Sequence, residues 1–487
     1  MDDKLCDIYQ LEHKFKPIGN NNLFRAIKYV KRKANEIITS NLIPGIGIGI
    51  TSSNKVLAIF GKGISDIKTQ EPYTIDTILL NASTSKPISG TLLCMLDPTT
   101  DKILSTKADI EMSIDYITDV LTVRDLVTHH SGIPEQYGTY TESVGYSRKQ
   151  IIRTLANATN SHFRDSHKYT NIPFSQGVQI GINAAGLSLS QAYNGLFQYL
   201  DMKDTSITFI PNKYKGYVDL RLLGQFQSYK GSVWYPAYNV NVEQQTPAGG
   251  IYSTVTDMIK FVMFQLEQSL LIQEERVINQ EFYEGVYIIR ADGRTNSIGI
   301  NIVYQSIGNT LYKLFRHSGE LENTRSFIEW IPQLNIGLFI HTNSCPNGIP
   351  EALNNAFLAI LGGDSDSEAD SIFESTNKAI TDALVASSCK IYFTLPCMDC
   401  AKECIKGIDE CLIGKYHNNE YGYIEIFCDG FIRVGLLELV KLHLCNGIYK
   451  FLLCDISKLK YLGKLTPISR HKVSMTYQCI NAIYRKC

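Results

Sequence analysis

No stretch of this chain approaches the ~18–20 consecutive apolar residues of a membrane-spanning helix, so no such span is expected. Charge of one sign is missing too. The 47 Lys and Arg nearly balance the 48 Asp and Glu, leaving a formal net charge of −1. Such a chain has no global field to recruit nucleic acid or an anionic membrane, and neither partner is expected. The basic run from Lys28 to Lys33 is short and interrupted, and reads as the solvated face of a helix. The opening Met1-Asp2-Asp3-Lys4 lacks the apolar core of a secretory signal. Asp2, Asp3, Asp7 and Glu12 are unlike a mitochondrial transit peptide, so the expected location is cytoplasmic. No internal repeat is visible.

Cysteine is not scarce. Thirteen, an odd number, suit mostly free thiols in a reducing compartment. Four of them read Cys397-x2-Cys400-x3-Cys404-x6-Cys411. The first gap suits a zinc-ligand pair, but no second pair with matching spacing follows. The expectation is free thiols, with no metal and no cofactor.

At 487 residues, 44% apolar and 20% charged, the chain has room for two or three ordinary globular domains. Leu23, Ile27, Val30, Ala34 and Ile37 repeat with helical period. Ile43-Pro44-Gly45-Ile46-Gly47-Ile48-Gly49-Ile50 alternates large and minimal side chains, as in a strand closely approached on one face. Val56 to Phe60 reads as its hairpin partner. Helices are expected over 175–185, 189–200, 253–267 and 350–361. Strands are expected over 297–304, 312–315, 326–330 and 336–342. The fold class is therefore α+β, with a mostly antiparallel sheet flanked by helices and a helical region inserted between its strands. The acidic, small-residue stretch Gly362 to Glu368 suggests a boundary. The expected division is an extension over 1–22, a main domain over 23–362, a linker with a helix and the cysteine-rich segment over 363–413, and a small β-barrel or sandwich over 414–487.

The chemistry-bearing pattern is Ser83-x-x-Lys86, just before the apolar stretch Ile88 to Leu96. A helix starting at Ser83 would put Lys86 on the same face one turn on, beside a hydroxyl at a positive helix end. An amine there can activate a serine nucleophile. The pattern alone is weak, because the chain has seven matches, at Ser52, Ser65, Ser83, Ser375, Ser387, Ser457 and Ser469. Order and context single out Ser83. Tyr169-Thr170-Asn171 and then His317-Ser318-Gly319 follow it, although Tyr416-x-Asn418 and His130-Ser131-Gly132 match those triplets equally well in isolation.

In that order the three motifs resemble the active-site motifs of the serine β-lactamase and penicillin-binding protein superfamily, in its class C-like branch. Flanking segments are similar as well: Ile43-Pro44-Gly45, Leu121 to Pro134, Pro247-Ala248-Gly249-Gly250, and Trp330-Ile331-Pro332 leading to Thr342-Asn343. The resemblance spans about residues 23–361, and Gly414 to Gly422 resembles the small β-domain of some members. It implies a β-lactamase/transpeptidase-like fold and a serine hydrolase acting on a small-molecule or peptide substrate. Ser83 would form an acyl-enzyme, with the base left open between Lys86 and Tyr169 as a coupled pair. Asn171 would hold Lys86 and the substrate amide. The backbone N–H groups of Ser83 and Glu320 would bind the oxyanion, and Gly319 would let the strand approach the substrate.

The departures are His317, where many members carry lysine, and Asn323-Thr324, where Gly-Phe is usual. Histidine there resembles esterase and D-aminopeptidase members. The acidic side chain of Glu320 would repel an anionic substrate unless Arg316 or Arg325 pairs with it. The expected substrate is thus a neutral or amine-bearing ester or amide, and Asn323 is expected to tolerate a positive φ in its turn. A non-catalytic binding or scaffold protein and a true β-lactamase or DD-peptidase are the alternatives. Oligomeric state is open.

Overall fold

The computed structural model describes residues 20–143, 145–158, 162–208, 215–219, 234–238, 243–271, 273–285, 294–321, 323–387 and 412, together with the C-terminal strands named below. The cysteine-rich segment 389–411, with its possible zinc spacing, lies outside the described residues.

An antiparallel sheet of eight strands divides the main body. Its strands are β1 (Gly45–Thr51), β2 (Val56–Asp66), β3 (Glu71–Pro72), β4 (Arg294–Asn296), β5 (Asn301–Ile307), β6 (Thr310–Leu321), β7 (Thr324–Ile331) and β8 (Ile336–Thr342). Their spatial order is β3-β2-β1-β8-β7-β6-β5-β4. The first strands and the last ones therefore meet at the β1–β8 seam, and the intervening 200-odd residues leave and return as the expected helical insertion.

The β1 alternation shows why that seam can be central. Ile46, Ile48 and Ile50 enter a core with helix α1 (Asn20–Thr39). On the other face Gly47 and Gly49 lie against helix α5 (Val255–Leu270). A Cβ at Gly47 would fall 2.5 Å from Val255 Cγ2, and one at Gly49 would fall 2.2 Å from Ile259 Cγ1. Large side chains fill one face and their absence admits a helix on the other, as the sequence pattern suggested. Thr254 caps α5 through a bond from the Asp257 amide.

Helix α2 (Ser85–Leu96) packs Ile88, Leu92 and Leu93 into the core on the α5 side, together with helices α3 (Asn171–Ala184) and α4 (Leu189–Tyr199). On the far face, α6 (Ile349–Gly362) and α7 (Asp366–Ser387) join α1. The stretch read as a domain boundary forms the corner between them, turned by Gly363 at φ 112°. Helix α7 returns to the body through Ala369 and Phe373. Tyr29 donates to Asp370 at 2.9 Å, and Lys33 lies 3.1 Å from Asp370 and 3.2 Å from Glu374.

The C-terminal strands β9 (Gly414–Asn418), β10 (Gly422–Ile426), β11 (Phe431–Val434), β12 (Val440–Lys441), β13 (His443–Cys445), β14 (Ile448–Cys454), β15 (Lys460–Ser469), β16 (Lys472–Tyr477) and β17 (Ile480–Lys486) form a second antiparallel sheet. Its order is β12-β11-β10-β9-β17-β16-β15-β14-β13. The pairs Tyr416–Ile424, Ile424–Val434 and Ile426–Ile432 line up buried apolar side chains on one face. Tyr416 thereby leaves the contest for the Tyr-x-Asn motif. It is core, and its hydroxyl is spent on Leu412 O. No described helix is long and apolar enough to cross a membrane.

Candidate active site

The nucleophile candidate sits on a sharp turn rather than inside a regular helix. Leu79–Leu80 pairs with Tyr252–Ser253. The chain then reverses through Ala82 at φ 51° into a 3-10 turn, Ala82–Thr84, and α2 follows directly at Ser85. The turn is pinned from behind. Asn81 O accepts from Thr84 Oγ1 at 2.8 Å and from Ser326 Oγ on β7 at 2.6 Å. Ser83 is left partly exposed between two buried neighbours.

Lys86, one turn on, is fully buried. Its Nζ lies 3.1 Å from Ser83 Oγ, 2.7 Å from Asn171 Oδ1 and 2.9 Å from Ala248 O. All three acceptors are neutral, and burial pushes the amine well below the ordinary lysine range. Tyr169 donates to Ser83 Oγ at 2.9 Å, and burial pushes its phenol upward. Asn171 is the first residue of α3, which begins four residues before the sequence suggested. Pro173 lies within its first turn, where a missing N–H costs nothing. Asn171 Nδ2 donates to Gln136 at 3.2 Å, which fixes its amide with the oxygen toward Lys86.

The third motif lies on β6. Strand β5 ends at the Asn301–Arg316 pair, so residues 317–321 are laddered, among the described residues, only to β7. The face of this stretch that carries Gly319 lies against the Ser83 turn, where a Cβ on Gly319 would come 2.4 Å from Asn81 O and 3.0 Å from Thr84 N. The missing side chain makes room for the backbone of the Ser83 turn.

Residues alternate across β6, so His317 shares the Gly319 face and Glu320 points to the reverse one. The Glu320 carboxylate pairs with Arg325 at 2.8 Å, and Arg325 also holds Glu351. The pairing with Arg325 is the condition under which no repulsion of an anionic substrate was expected. His317 is 7% exposed, its Nδ1 is 2.6 Å from Ser318 O, and its ring centroid is 6.3 Å from that of Tyr169. Burial, with Lys86 adding to it, holds its pKa down to about 3. It is a neutral imidazole at physiological pH. Asn323 is buried.

Ser83, Lys86, Tyr169, Asn171, His317, Gly319 and Glu320 all meet at this site. Three contributors escaped sequence reading. Ala248 acts through a carbonyl, which every residue has. Gln136 acts through a contact 35 residues away in the chain. His129, at φ 63°, stacks between Tyr169 and Phe174 with centroids at 4.7 and 5.5 Å, and its Nδ1 accepts from the Thr170 amide. Its sequence signals were the family-like segment Leu121 to Pro134 that contains it and the His-Ser-Gly look-alike beside it, and neither assigned it a role. The described residues contain no group of side chains suited to a metal ion.

Comparison with known proteins agrees with the arrangement. A family model described as beta-lactamase matches residues 30–362. Among solved structures, the octameric penicillin-binding protein homologue from Pyrococcus abyssi is similar, at a TM-score of 0.56 and 19% identity over 94% of this chain and 100% of that one. At that identity the likeness is one of fold. No curated protein matches the sequence.

Proposed function

This chain belongs to the beta-lactamase family, and from that premise we propose that it is a serine hydrolase cleaving an ester or amide through an acyl-enzyme on Ser83. The observation that carries the reading is the pair of groups on one oxygen, Lys86 Nζ at 3.1 Å and Tyr169 OH at 2.9 Å from Ser83 Oγ. A neutral amine has two hydrogens and one lone pair. With the hydrogens on Asn171 Oδ1 and Ala248 O, the lone pair is aimed at Ser83. Burial lowers the lysine and raises the tyrosine, which favours Lys86 over a Tyr169 phenolate as the base.

The steps follow. Lys86 takes the Ser83 proton as Oγ attacks the substrate carbonyl. The oxyanion is held by the N–H groups of Ser83 and Glu320, each such donor typically worth roughly 3 kcal/mol of barrier. The tetrahedral centre collapses. Tyr169 passes its proton to the departing oxygen or nitrogen, and the Lys86 ammonium restores the phenol. Water then attacks the acyl ester, its proton goes to the lysine, and that proton returns to Ser83 Oγ as it leaves. The free N–H of Asn171 Nδ2 is available to the substrate amide.

Substrate class follows from His317. A neutral imidazole gives a substrate carboxylate no cationic anchor at the third motif, so an uncharged or amine-bearing ester or amide is favoured over a β-lactam. Short p-nitrophenyl esters and D-amino acid amides are expected to turn over faster than nitrocefin, and the opposite ranking would overturn this specificity. The reaction itself is tested by labelling with a fluorophosphonate and a fluorescent penicillin and mapping the adduct. A stoichiometric adduct on Ser83, absent in Ser83→Ala, is expected. Folded protein that neither reagent labels would point to a non-catalytic binding protein.

The pH profile carries a separate expectation. The base must be unprotonated, so kcat/KM falls as pH drops through the lowered Lys86 pKa and stays high above it. Activity that appeared only near pH ~10, where an ordinary lysine titrates, would rule out the depressed amine as base.

A further inference from the structure

Behind Lys86 runs a second buried polar chain. Ser89 lies three residues further along α2. Its Oγ is 2.5 Å from the Tyr193 hydroxyl on α4, 2.7 Å from Pro247 O and 3.2 Å from Ser85 O. Ser89 and Tyr193 are both completely buried. Pro247 immediately precedes Ala248, whose carbonyl accepts from Lys86.

We propose that Tyr193 and Ser89 are positioning residues for the base, holding the Pro247–Ala248 backbone so that the Ala248 carbonyl steers the Lys86 lone pair onto Ser83. This inference rests on the hydrolase reading above.

Proton counting gives the chain its direction. Ser89 has one hydrogen, and Pro247 O is its shorter carbonyl partner. If that hydrogen went to Tyr193 instead, Ser89 Oγ and Pro247 O would face each other at 2.7 Å with no proton between them. Tyr193 therefore donates to Ser89, and Ser89 donates to Pro247 O. Burial pushes the Tyr193 phenol upward, so it stays a donor at any physiological pH. Helix α2 thus grips two successive carbonyls, Pro247 through Ser89 and Ala248 through Lys86. Ser85 Oγ accepts from the Ile251 amide at 3.2 Å and extends the same grip by one more residue pair. Arg148 reaches Gln244 O at 3.3 Å from the other side, so the segment carrying Ala248 is held at both ends.

A carbonyl on an amine stabilises the charged form more than the neutral one. Releasing Ala248 should therefore lower the Lys86 pKa further and leave its lone pair less well aimed. Tyr193→Phe removes one oxygen and no carbon, and Ser89→Ala removes the relay itself. For each, kcat for a p-nitrophenyl ester is expected to fall about tenfold with KM within twofold. The acid limb of kcat/KM is expected to move to lower pH by about half a unit. The double variant should be no worse than Ser89→Ala alone, because Tyr193 acts only through Ser89.

A readout that needs no turnover is the Lys86 signal in 13Cε-lysine NMR titrations, assigned by its loss in Lys86→Met. A downward shift in both variants supports the proposal even if wild-type protein proves not to be a hydrolase. An unmoved Lys86 titration overturns it, as do additive rate losses or variants that lose only thermal stability.

Discussion

Lys86→Met is expected to lower kcat/KM by roughly 10³-fold, a general base being worth about 10²–10⁴-fold, while leaving the protein folded. Methionine is close to lysine in length and apolar, and the site it would enter is fully buried. The substitution strands Asn171 Oδ1 and Ala248 O, each a cost of about 1–3 kcal/mol, but it also removes an amine that burial already destabilises in its charged form. Linkage gives the sign. A lysine whose folded pKa lies below its unfolded value near 10.4 binds fewer protons when folded, so its destabilising effect is greatest at low pH and fades as pH rises through that window. Wild-type stability should therefore climb with pH across this interval, and the methionine variant should lose that slope. Thermal melts from pH 6 to 10, set beside ester kinetics, check both halves. Kinetics within tenfold of wild type would remove Lys86 from the base role.

Gly319→Ala is expected to damage fold and activity together, although Ala is the smallest change available. Its Cβ would lie 2.1 Å from Ser326 Oγ, 2.4 Å from Asn81 O and 3.0 Å from Thr84 N. Two of those three are backbone atoms of the nucleophile turn, which no rotamer change relieves. Overpacking typically costs about 1–3 kcal/mol and more where backbone must move. At about 2–4 °C per kcal/mol, Tm should fall by roughly 5–10 °C. The Ser83 turn must shift to admit the methyl, and a misplacement of about 1 Å can cost on the order of 10²-fold in rate. Adding Ser326→Ala removes the nearest clash and leaves Asn81 O, so rescue should be partial. Full activity in the single variant would show that this strand contact does not set the position of Ser83.

How legible each feature was depended on whether its signal was local. The glycine–isoleucine alternation of β1 was readable because strand period and steric approach act over adjacent residues. Strand β8 was placed at its observed ends for the same reason. Helix α3 begins four residues before the expected start, with Pro173 in its first turn, where a missing N–H is tolerated. Helix α7 was read as the start of a linker because its first residues are acidic and small, whereas the partners that hold it, Tyr29 and Lys33, lie about 340 residues earlier.

What the sequence determined by itself was the set of candidate reacting groups and their order: Ser83 with Lys86 one turn away, then Tyr169 and Asn171, then the His317 strand. Side-chain chemistry and short spacings are properties of the chain. Tertiary structure alone decided which groups are charged and which way they face. Burial beside Lys86 holds the His317 pKa down, the Glu320 side chain crosses to pair with Arg325, and the missing side chain of Gly319 admits the Ser83 turn. Lys86 is a credible base because its neighbours are carbonyl oxygens and hydroxyls rather than carboxylates. Burial and facing arise only when distant segments pack together, and no local pattern encodes them.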